Sequence, residues 1–385
     1  MPASLSCGGD SSQHARVSLH ESWPAGCEPT CHGCRHRGWS SERSLAQKNA
    51  YLGRVLERWA DRLQPVASVG DAERLGYRDR VSLTSRWDAA LGWRFGLMRR
   101  DELIAIHDCP VHTPRVNAFV RTLIEALPPF AVLPLAYVHV AGAQATLIVK
   151  ARRHDPDAIA ALVGRMPATG LDGLWVHCHP SAGRRMFARS GWTLAWGVAE
   201  SQDPSGLQHG PAAFQQLLPQ LHERAMSMAV QHLAPAVDSA VLDLYCGIGA
   251  SMRRWRAAGA AVLGVELAGG AVEQAPRNAP GAQVLRGTCV QRLPQIADWW
   301  SRQPAARHVY VNPPRSGLEA ELAESIAHRL RPQRMAYLSC SAGTLARDLA
   351  CFESAGYSVD AIHPYDFFPL THHVETMALL SDRVR

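Results

Sequence analysis

The sequence lacks any apolar run long enough to span a bilayer, which takes about 20 consecutive apolar residues. The 385-residue chain is 47% hydrophobic and 19% charged, which is the composition of a globular protein. Residues 1–26 are polar and lack the apolar centre of a signal peptide. We therefore expect a disordered tail at 1–26 and a cytoplasmic protein with no membrane association, and nothing in the sequence indicates an obligate protein partner.

Lysine is nearly absent, since Lys48 and Lys150 are the only two. The formal net charge of +6 is thus carried almost entirely by arginine, whose planar guanidinium suits phosphate groups. A mildly basic chain is compatible with an RNA partner, although arginine richness also arises from codon usage. Composition alone does not separate these two interpretations.

The ten cysteines argue against a disulfide framework in a cytoplasmic chain and favour metal ligation or catalysis. Cys27, Cys31 and Cys34 fall within the stretch CEPTCHGC, and Cys109 follows far downstream in IAIHDCPVH. Four such thiolates suit either a [4Fe–4S] cluster or a structural zinc ion, and spacing does not distinguish these metals. Cys7 is an alternative first ligand, but Cys27 is nearer to the other two.

The periodicity of apolar residues predicts two folded regions of different architecture. Residues 44–60 have helical spacing, and residues 78–196 contain short strands, with helices at 116–127 and 157–165, that predict an antiparallel sheet. Residues 200–211 are polar and are predicted to form a linker before a helix at 212–233. The domain boundaries that follow are 1–26 for the tail, 27–205 for an α+β domain bearing a cysteine-ligated metal cluster, and 206–385 for a second domain. The strands predicted in the first region are 80–83, 103–106, 136–140, 145–149 and 173–178.

Beyond residue 233 short apolar strands alternate with helical segments, which predicts an α/β, Rossmann-like fold with a mostly parallel, seven-stranded sheet. Ligands of such sheets bind beyond the carboxyl ends of the strands. The first strand runs into YCGIG, where Gly247 and Gly249 allow a backbone to approach a ligand closely. The second ends in Glu266, placed to accept hydrogen bonds from a ribose diol. The third glycine of the dinucleotide motif is missing, which favours a nucleoside cofactor without pyrophosphate.

Three further strand ends carry side chains capable of chemistry. The double proline of VNPPRSG stiffens the loop that holds Asn312 and Arg315. Cys340 lies between a strand and a helix, where the helix N-terminus favours the reactive thiolate. Glu375 stands at the start of the last strand. Taken singly, a cysteine is usually a small buried residue and a glutamate is usually solvated, so these positions gain meaning only together.

The motifs DLYCGIG, GVEL, NPPRSG, SCSAGTLARDL and FFPLTHHVE, in this order, resemble the RNA uracil-5-methyltransferase family across the C-terminal half. The cysteine cluster and YRDRV at 77–81 resemble its iron–sulfur-containing branch that acts on 23S rRNA and lacks the N-terminal RNA-binding barrel. The chain departs from the family at Leu218, where Asn is frequent, and at Asn312, where many members have Asp.

The resemblance implies methylation of carbon 5 of a uridine in RNA, most simply 23S rRNA, with S-adenosylmethionine as cofactor. Cys340 matches the nucleophile that attacks carbon 6, and Glu375 matches the base. It favours a [4Fe–4S] cluster over zinc on the four cysteines. The residues implied for cofactor binding are Gln216, Tyr245, Gly247, Gly249, Glu266 and Asn312. The arginines expected to face RNA are Arg78, Arg80, Arg94, Arg99 and Arg100.

Other functions stay open at this point. A tRNA uracil-5-methyltransferase would share every motif, and a non-catalytic iron–sulfur RNA-binding protein would need neither Cys340 nor Glu375. A base-amine methyltransferase would carry an aromatic residue where Arg315 follows Asn-Pro-Pro and would leave Cys340 idle.

Overall fold

The computed structural model describes residues 23–183 and 185–383. Residues 1–22 of the predicted tail, with Cys7, lie outside this part of the chain. The described residues form two seven-stranded sheets and a short two-stranded one. In the described part of the chain, no helix combines the length and apolarity needed to cross a membrane.

The first sheet has the strand order β3-β2-β1-β4-β5-β6-β7. Its neighbours are antiparallel, as predicted, except for β5 and β6, which are parallel. The reason is the connection at 150–172, which contains a helix and is long enough for a crossover. The elements in chain order are α1 (Ser41–Val55), β1 (Arg80–Asp88), β2 (Gly92–Arg99), β3 (Glu102–Ala105), α2 (Pro114–Ala126), β4 (Leu135–Ala141), β5 (Gln144–Val149), α3 (Ala160–Arg165), β6 (Gly173–Cys178) and β7 (Trp192–Gly197). Helices α2 and α3 cover one face of this sheet with a buried apolar cluster.

The predicted linker at 200–211 is wrong, because it forms a hairpin of β8 (Ser201–Gln202) and β9 (Gln208–His209). The Asp203 carboxylate closes its turn by accepting hydrogen bonds from the backbone N–H groups of Ser205 and Leu207, both at 2.9 Å. The next helix, α4 (Pro219–Leu233), begins later than predicted. Leu218 has a left-handed backbone with φ 56°, and a residue before proline is disfavoured in helical conformation.

The second sheet has the order β12-β11-β10-β13-β14-β16-β15, in which only β16 runs against its neighbours. The predicted α/β alternation is confirmed. Its elements are β10 (Ser239–Leu244), α5 (Ala250–Ala257), β11 (Ala261–Glu266), α6 (Gly269–Asn278), β12 (Gln283–Arg286), α7 (Leu293–Ser301), β13 (Ala306–Val311), α8 (Ala320–Glu324) with a π-helical turn at Ser325–Leu330, β14 (Arg334–Ser339), α9 (Ala342–Ser354), β15 (Tyr357–Tyr365) and β16 (Glu375–Asp382).

Residues 41–69 pack against the second sheet, although the sequence analysis grouped them with the first. Leu52 and Leu56 of α1 are fully buried and share an apolar cluster with Leu242 of β10. Leu63 and Ala67 form parallel bridges to β15. This N-terminal segment therefore contributes directly to the core of the C-terminal region.

The loop at 366–374, which we call the base loop because it leads into Glu375, is held by the N-terminal region. Lys48 Nζ lies 2.5 Å from Asp366 Oδ1, and the two side chains are 0% and 3% exposed. The backbone N–H of His36 donates to Leu370 O at 2.9 Å, and the Tyr77 hydroxyl donates to Pro369 O at 3.1 Å. A buried ion pair and backbone hydrogen bonds thus fix a loop that belongs to the opposite end of the sequence.

We predict that Lys48→Met destabilises the fold by about 3–5 kcal/mol, because it leaves the Asp366 carboxylate buried without a counter-charge. Urea denaturation followed by circular dichroism measures the change. Adding Asp366→Asn should recover part of the loss, since an amide needs no counter-ion. Lys150→Met is the matched control, because Lys150 is exposed and its loss should change stability by at most about 0.5 kcal/mol. Equal effects of the two lysine variants would contradict the prediction.

Candidate active site

The reversed direction of β16 brings Cys340 and Glu375 together. In the β14–β16 pairing Ser339 lies opposite Thr376, so the residue after β14 and the first residue of β16 meet at one edge of the sheet. The carboxylate of Glu375 is close enough to raise the pKa of the Cys340 thiol. The two residues predicted to be catalytic are therefore neighbours.

Glu375 is an almost fully buried acid, only 6% exposed. Burial raises the pKa of its carboxyl from 4.5 to about 7, against the opposing effects of a hydrogen bond from Gln216 and the charge of Arg315. Gln216 Nε2 donates to Glu375 Oε2 at 2.5 Å. The carboxyl is thus poised to exchange a proton near neutral pH.

Cys340 is half-buried at the start of the loop before α9. Burial and the charge of Glu375 raise the pKa of its thiol, while Arg315 lowers it. The expected bias toward thiolate from the helix N-terminus is therefore outweighed by desolvation. Arg315, on the stiff Pro-Pro loop, is the cation that favours the ionised forms of both groups.

The glycine loop after β10 lies where the strand order reverses, between β10 and β13, which is the ligand position in such sheets. A Cβ on Gly247 would meet nothing within 4 Å, so the loop presents open space to a ligand, whereas one on Gly249 would meet Ala275 O at 2.9 Å. Both glycines have positive φ, at 55° and 86°. Gly249 is thus required for packing against α6, and Gly247 leaves room for a bound group.

The remaining residues predicted to bind the cofactor surround this loop. Glu266 ends β11, and its carboxylate accepts a hydrogen bond from Gly247 N at 3.0 Å. Tyr245 has a strained backbone, φ 60°, and its hydroxyl donates to Glu319. Asn312 follows β13, with its backbone N–H donating to Leu244 O at 3.3 Å. Gln216 lies instead beside Glu375, at the far side of the same edge.

Sequence reasoning missed the residues that position this site. Asn278 of α6 donates to Ile248 O at 2.8 Å and accepts from Gln208 N at 2.8 Å, so it ties the glycine loop to the β8–β9 hairpin. The contact between Gln216 and Glu375 spans 159 positions and leaves no local pattern.

Cys27, Cys31, Cys34 and Cys109 line one cavity of about 320 Å³. Leu370 of the base loop lines the same cavity. Within the described residues, no group of three or more His, Cys, Asp or Glu side chains is arranged to hold a metal ion. The structure thus brings the four predicted ligands together, but the predicted metal site is not confirmed.

Two arginines lie beside the cysteine cavity. The charge of Arg37 lowers the pKa of Cys27, and that of Arg78 lowers the pKa of Cys34 and Cys109, although burial raises all three. Arg78 Nε is buried without a hydrogen-bond partner. Positive charge at this cavity favours anionic sulfur.

The arginines expected to face RNA do not form one exposed surface. Only Arg99 and Arg100 are exposed, and Arg99 pairs with Glu102 at 2.9 Å. Arg80 lies over the ring of Phe214, 4.4 Å from its centroid, and Arg78 is turned toward the cysteine cavity.

Comparison with known proteins identifies the group to which this arrangement belongs. Residues 289–383 match the family model described as tRNA (Uracil-5-)-methyltransferase. The 23S rRNA (uracil(1939)-C(5))-methyltransferase RlmD of Pseudomonas entomophila is 30% identical to the chain, over 91% of the chain and 77% of the relative. The chain belongs to the RNA uracil-5-methyltransferase family.

A second relative agrees with this membership, and a solved structure shows the same fold. An uncharacterized RNA methyltransferase, tlr0942 of Thermosynechococcus vestitus, is 28% identical over 91% of the chain and 82% of the relative. The crystal structure of Pyrococcus abyssi tRNA (uracil-54, C5)-methyltransferase with S-adenosyl-L-homocysteine has a TM-score of 0.67 at 21% identity, covering 91% and 86% of the two chains. The predicted enzyme class, RNA uracil-5-methyltransferase using S-adenosylmethionine, is confirmed. The roles of individual residues remain predictions.

We predict that Gln216→Leu raises the pKa of Glu375 from about 7 by about one unit, because a hydrogen bond to a carboxylate contributes about 1.5–3 kcal/mol to the charged form. The carboxyl should be protonated below its pKa and ionised above it, so the variant holds less carboxylate at neutral pH. Infrared titration of the carboxyl band, assigned with Glu375→Gln, measures this. Gln220→Leu is the control, since Gln220 donates to exposed Glu73 instead, and an unchanged band in both variants would refute the contact.

Proposed function

We propose that this member of the family methylates carbon 5 of a uridine in 23S rRNA through a covalent cysteine–uracil adduct. The observation that supports it is the meeting of a thiol and a buried carboxyl, Cys340 and Glu375, at the edge of the sheet that carries the glycine loop. Carbon 5 of uracil is a weak nucleophile, and a neighbouring thiolate is the group that can activate it.

In the proposed reaction the thiolate of Cys340 attacks carbon 6, and the electron pair of the carbon 5–carbon 6 double bond moves into an enolate. Carbon 5 of this enolate then takes the methyl group. Glu375 removes the proton from carbon 5, and the electrons restore the double bond as the bond between carbon 6 and sulfur breaks. A carboxyl with a pKa of about 7 suits this step, because it ionises near neutral pH and can pass the proton on.

S-adenosylmethionine supplies an electrophilic methyl group. We assign its binding to the residues around the glycine loop, with Glu266 toward the ribose diol and Gly247 at the closest backbone approach. Tyr245, Gly249 and Asn312 shape the same edge. Gln216 donates a hydrogen bond to Glu375, so we assign it to the positioning of the base as well as to the cofactor site that the family resemblance implies.

The substrate proposed is 23S rRNA because the similarity to RlmD extends over 91% of the chain. The tRNA alternative is supported by the fold of the Pyrococcus abyssi enzyme, at 21% identity. The target atoms are unreachable in a stacked helix, so the uridine must be flipped or lie in an open loop.

We predict that Cys340→Ala abolishes methylation while retaining cofactor binding. In a strain lacking this protein, wild type should restore 5-methyluridine in 23S rRNA, as measured by mass mapping, and Cys340→Ala should not.

Purified Glu375→Gln should accumulate a protein–RNA adduct on denaturing gels, because release of sulfur requires loss of the carbon 5 proton. Cys351→Ala, a half-buried cysteine on α9, is the control with full activity. If wild type restores 5-methyluridine in tRNA and not in 23S rRNA, the substrate is tRNA. Methylation by Cys340→Ala would reject the proposed mechanism.

For the cysteine cavity we propose a [4Fe–4S] cluster held by Cys27, Cys31, Cys34 and Cys109. Four thiols that line one cavity can ligate a cluster of several ions, and the resemblance to the iron–sulfur branch of the family favours this over a single zinc. Arg37 and Arg78 would offset the negative charge of the thiolates. When bound, such a cluster would cross-link the N-terminal segment to the first sheet, and methyl transfer requires no electrons from it.

We predict about four iron atoms per chain in anaerobically purified protein, with a matching amount of acid-labile sulfide. Cys109→Ser should lose most of both, and Cys178→Ser should retain them, because Cys178 is a half-buried cysteine outside the cavity. Elemental analysis and visible absorption provide the measurement. If elemental analysis instead finds one zinc ion per chain in the wild type, the four cysteines form a structural zinc site and not an iron–sulfur cluster.

A further inference from the structure

Five exposed cations, none of them among the arginines singled out in the sequence, gather at one end of the first sheet. They lie on the two loops that follow the parallel strands β5 and β6. We call this group the arginine end; its members are Lys150, Arg152, Arg153, Arg185 and Arg189.

Direct contacts hold the two loops side by side. The backbone N–H of His179, after β6, donates to Val149 O at 2.9 Å. Cys178 Sγ lies 3.7 Å from His154 Nδ1, and Cys178 N donates to Gly191 O at 2.7 Å. Because β5 and β6 are parallel, their carboxyl ends meet at one edge, and so do the loops that carry the cations.

No member of the arginine end takes part in an ion pair within residues 23–183 and 185–383. Other exposed arginines of this region do, such as Arg165 with Glu125 at 2.7 Å. The nearest acid in sequence, Asp155, accepts a hydrogen bond from Asp157 N at 3.0 Å and begins the next helical turn. The cations therefore present charge that no ion pair within the described residues neutralises.

Aromatic rings lie beside the arginine end. The ring of half-buried Phe187, on the same loop as Arg185 and Arg189, is 5.3 Å from that of Trp192, and Trp192 stacks on His177 at 4.1 Å. Base–aromatic stacking combined with arginine is a common mode of RNA recognition. Arginines that share a loop with an aromatic ring match the chemistry of a nucleic acid strand better than that of an acidic peptide.

The opposite end of β5 lies at the candidate active site. A Cβ on Gly142, in the turn before β5, would come within 3.0 Å of Gln215, next to Gln216. The six residues of β5 span about 17 Å at a rise of about 3.3 Å each. The arginine end is thus about one strand length from the turn that lies beside Gln215, and Gln216, the next residue, contacts Glu375.

We propose that the arginine end binds phosphates of the RNA that flanks the target uridine and fixes its register over Cys340. This inference rests on the proposed function, since it names the surface by which the same substrate is held. It assigns phosphate contact to loops at 150–153 and 185–189.

The test uses the full chain, an unmodified 23S rRNA transcript and two variants, Arg152→Gln/Arg153→Gln and Arg185→Gln/Arg189→Gln. Each variant should weaken RNA binding about tenfold. The logarithm of the association constant falls linearly with the logarithm of the salt concentration, and each variant should make this slope less steep by about 1.4–1.8, because it removes two phosphate contacts. Cofactor binding, measured by calorimetry with S-adenosylhomocysteine, should be unchanged. Arg54→Gln/Arg329→Gln is the control of equal net charge on exposed arginines near the other sheet, and it should bind as wild type.

If the two variants bind RNA with wild-type affinity and salt dependence, the arginine end does not bind the RNA. The proposed function would still stand in that case, provided that wild type forms 5-methyluridine on the transcript. Equal weakening in the control would also overturn the proposed role of the arginine end, because net charge would then explain the effect. If wild type does not methylate this transcript but the variants still lose affinity for it, the proposed substrate is rejected. The role of the arginine end in RNA binding would then be retained. Failure of wild type to bind RNA would reject both.

Discussion

The direction of β16 is the constraint on which the candidate site depends. If β16 were parallel to β14, its first residue would lie at the far edge of the sheet, about 17 Å from the end of a six-residue strand. Since β16 is antiparallel, its first residue, Glu375, and the residue after β14, Cys340, share one edge. Gln216 and Arg315 then act on groups that the topology has already brought together.

Burial sets the electrostatics of this edge. It raises the pKa of both Cys340 and Glu375, and Arg315 opposes it at both positions. Burial thus favours the neutral forms of both the nucleophile and the base, and the charge of Arg315 is what favours their ionised forms.

Local pattern was enough to predict where β10 and β11 end, because buried parallel strands are short apolar runs between helices. It failed for the hairpin at 201–209, whose strands are two residues long and stabilised by distant groups such as Asn278. It failed for the start of α4, where Pro219 overrides the apolar periodicity. The pair of Lys48 and Asp366 spans 318 positions, and no window of sequence contains both.

The base loop has a consequence for how this enzyme can be divided. Its carbonyl groups at Pro369 and Leu370 accept hydrogen bonds from Tyr77 and His36, and Asp366 finds its counter-ion in α1. A chimera that joined this C-terminal sheet to a foreign N-terminal half would therefore lose the donors that shape the approach to Glu375. Although its strands and helices resemble a self-sufficient module, the catalytic region is completed by contacts from residues 36–77.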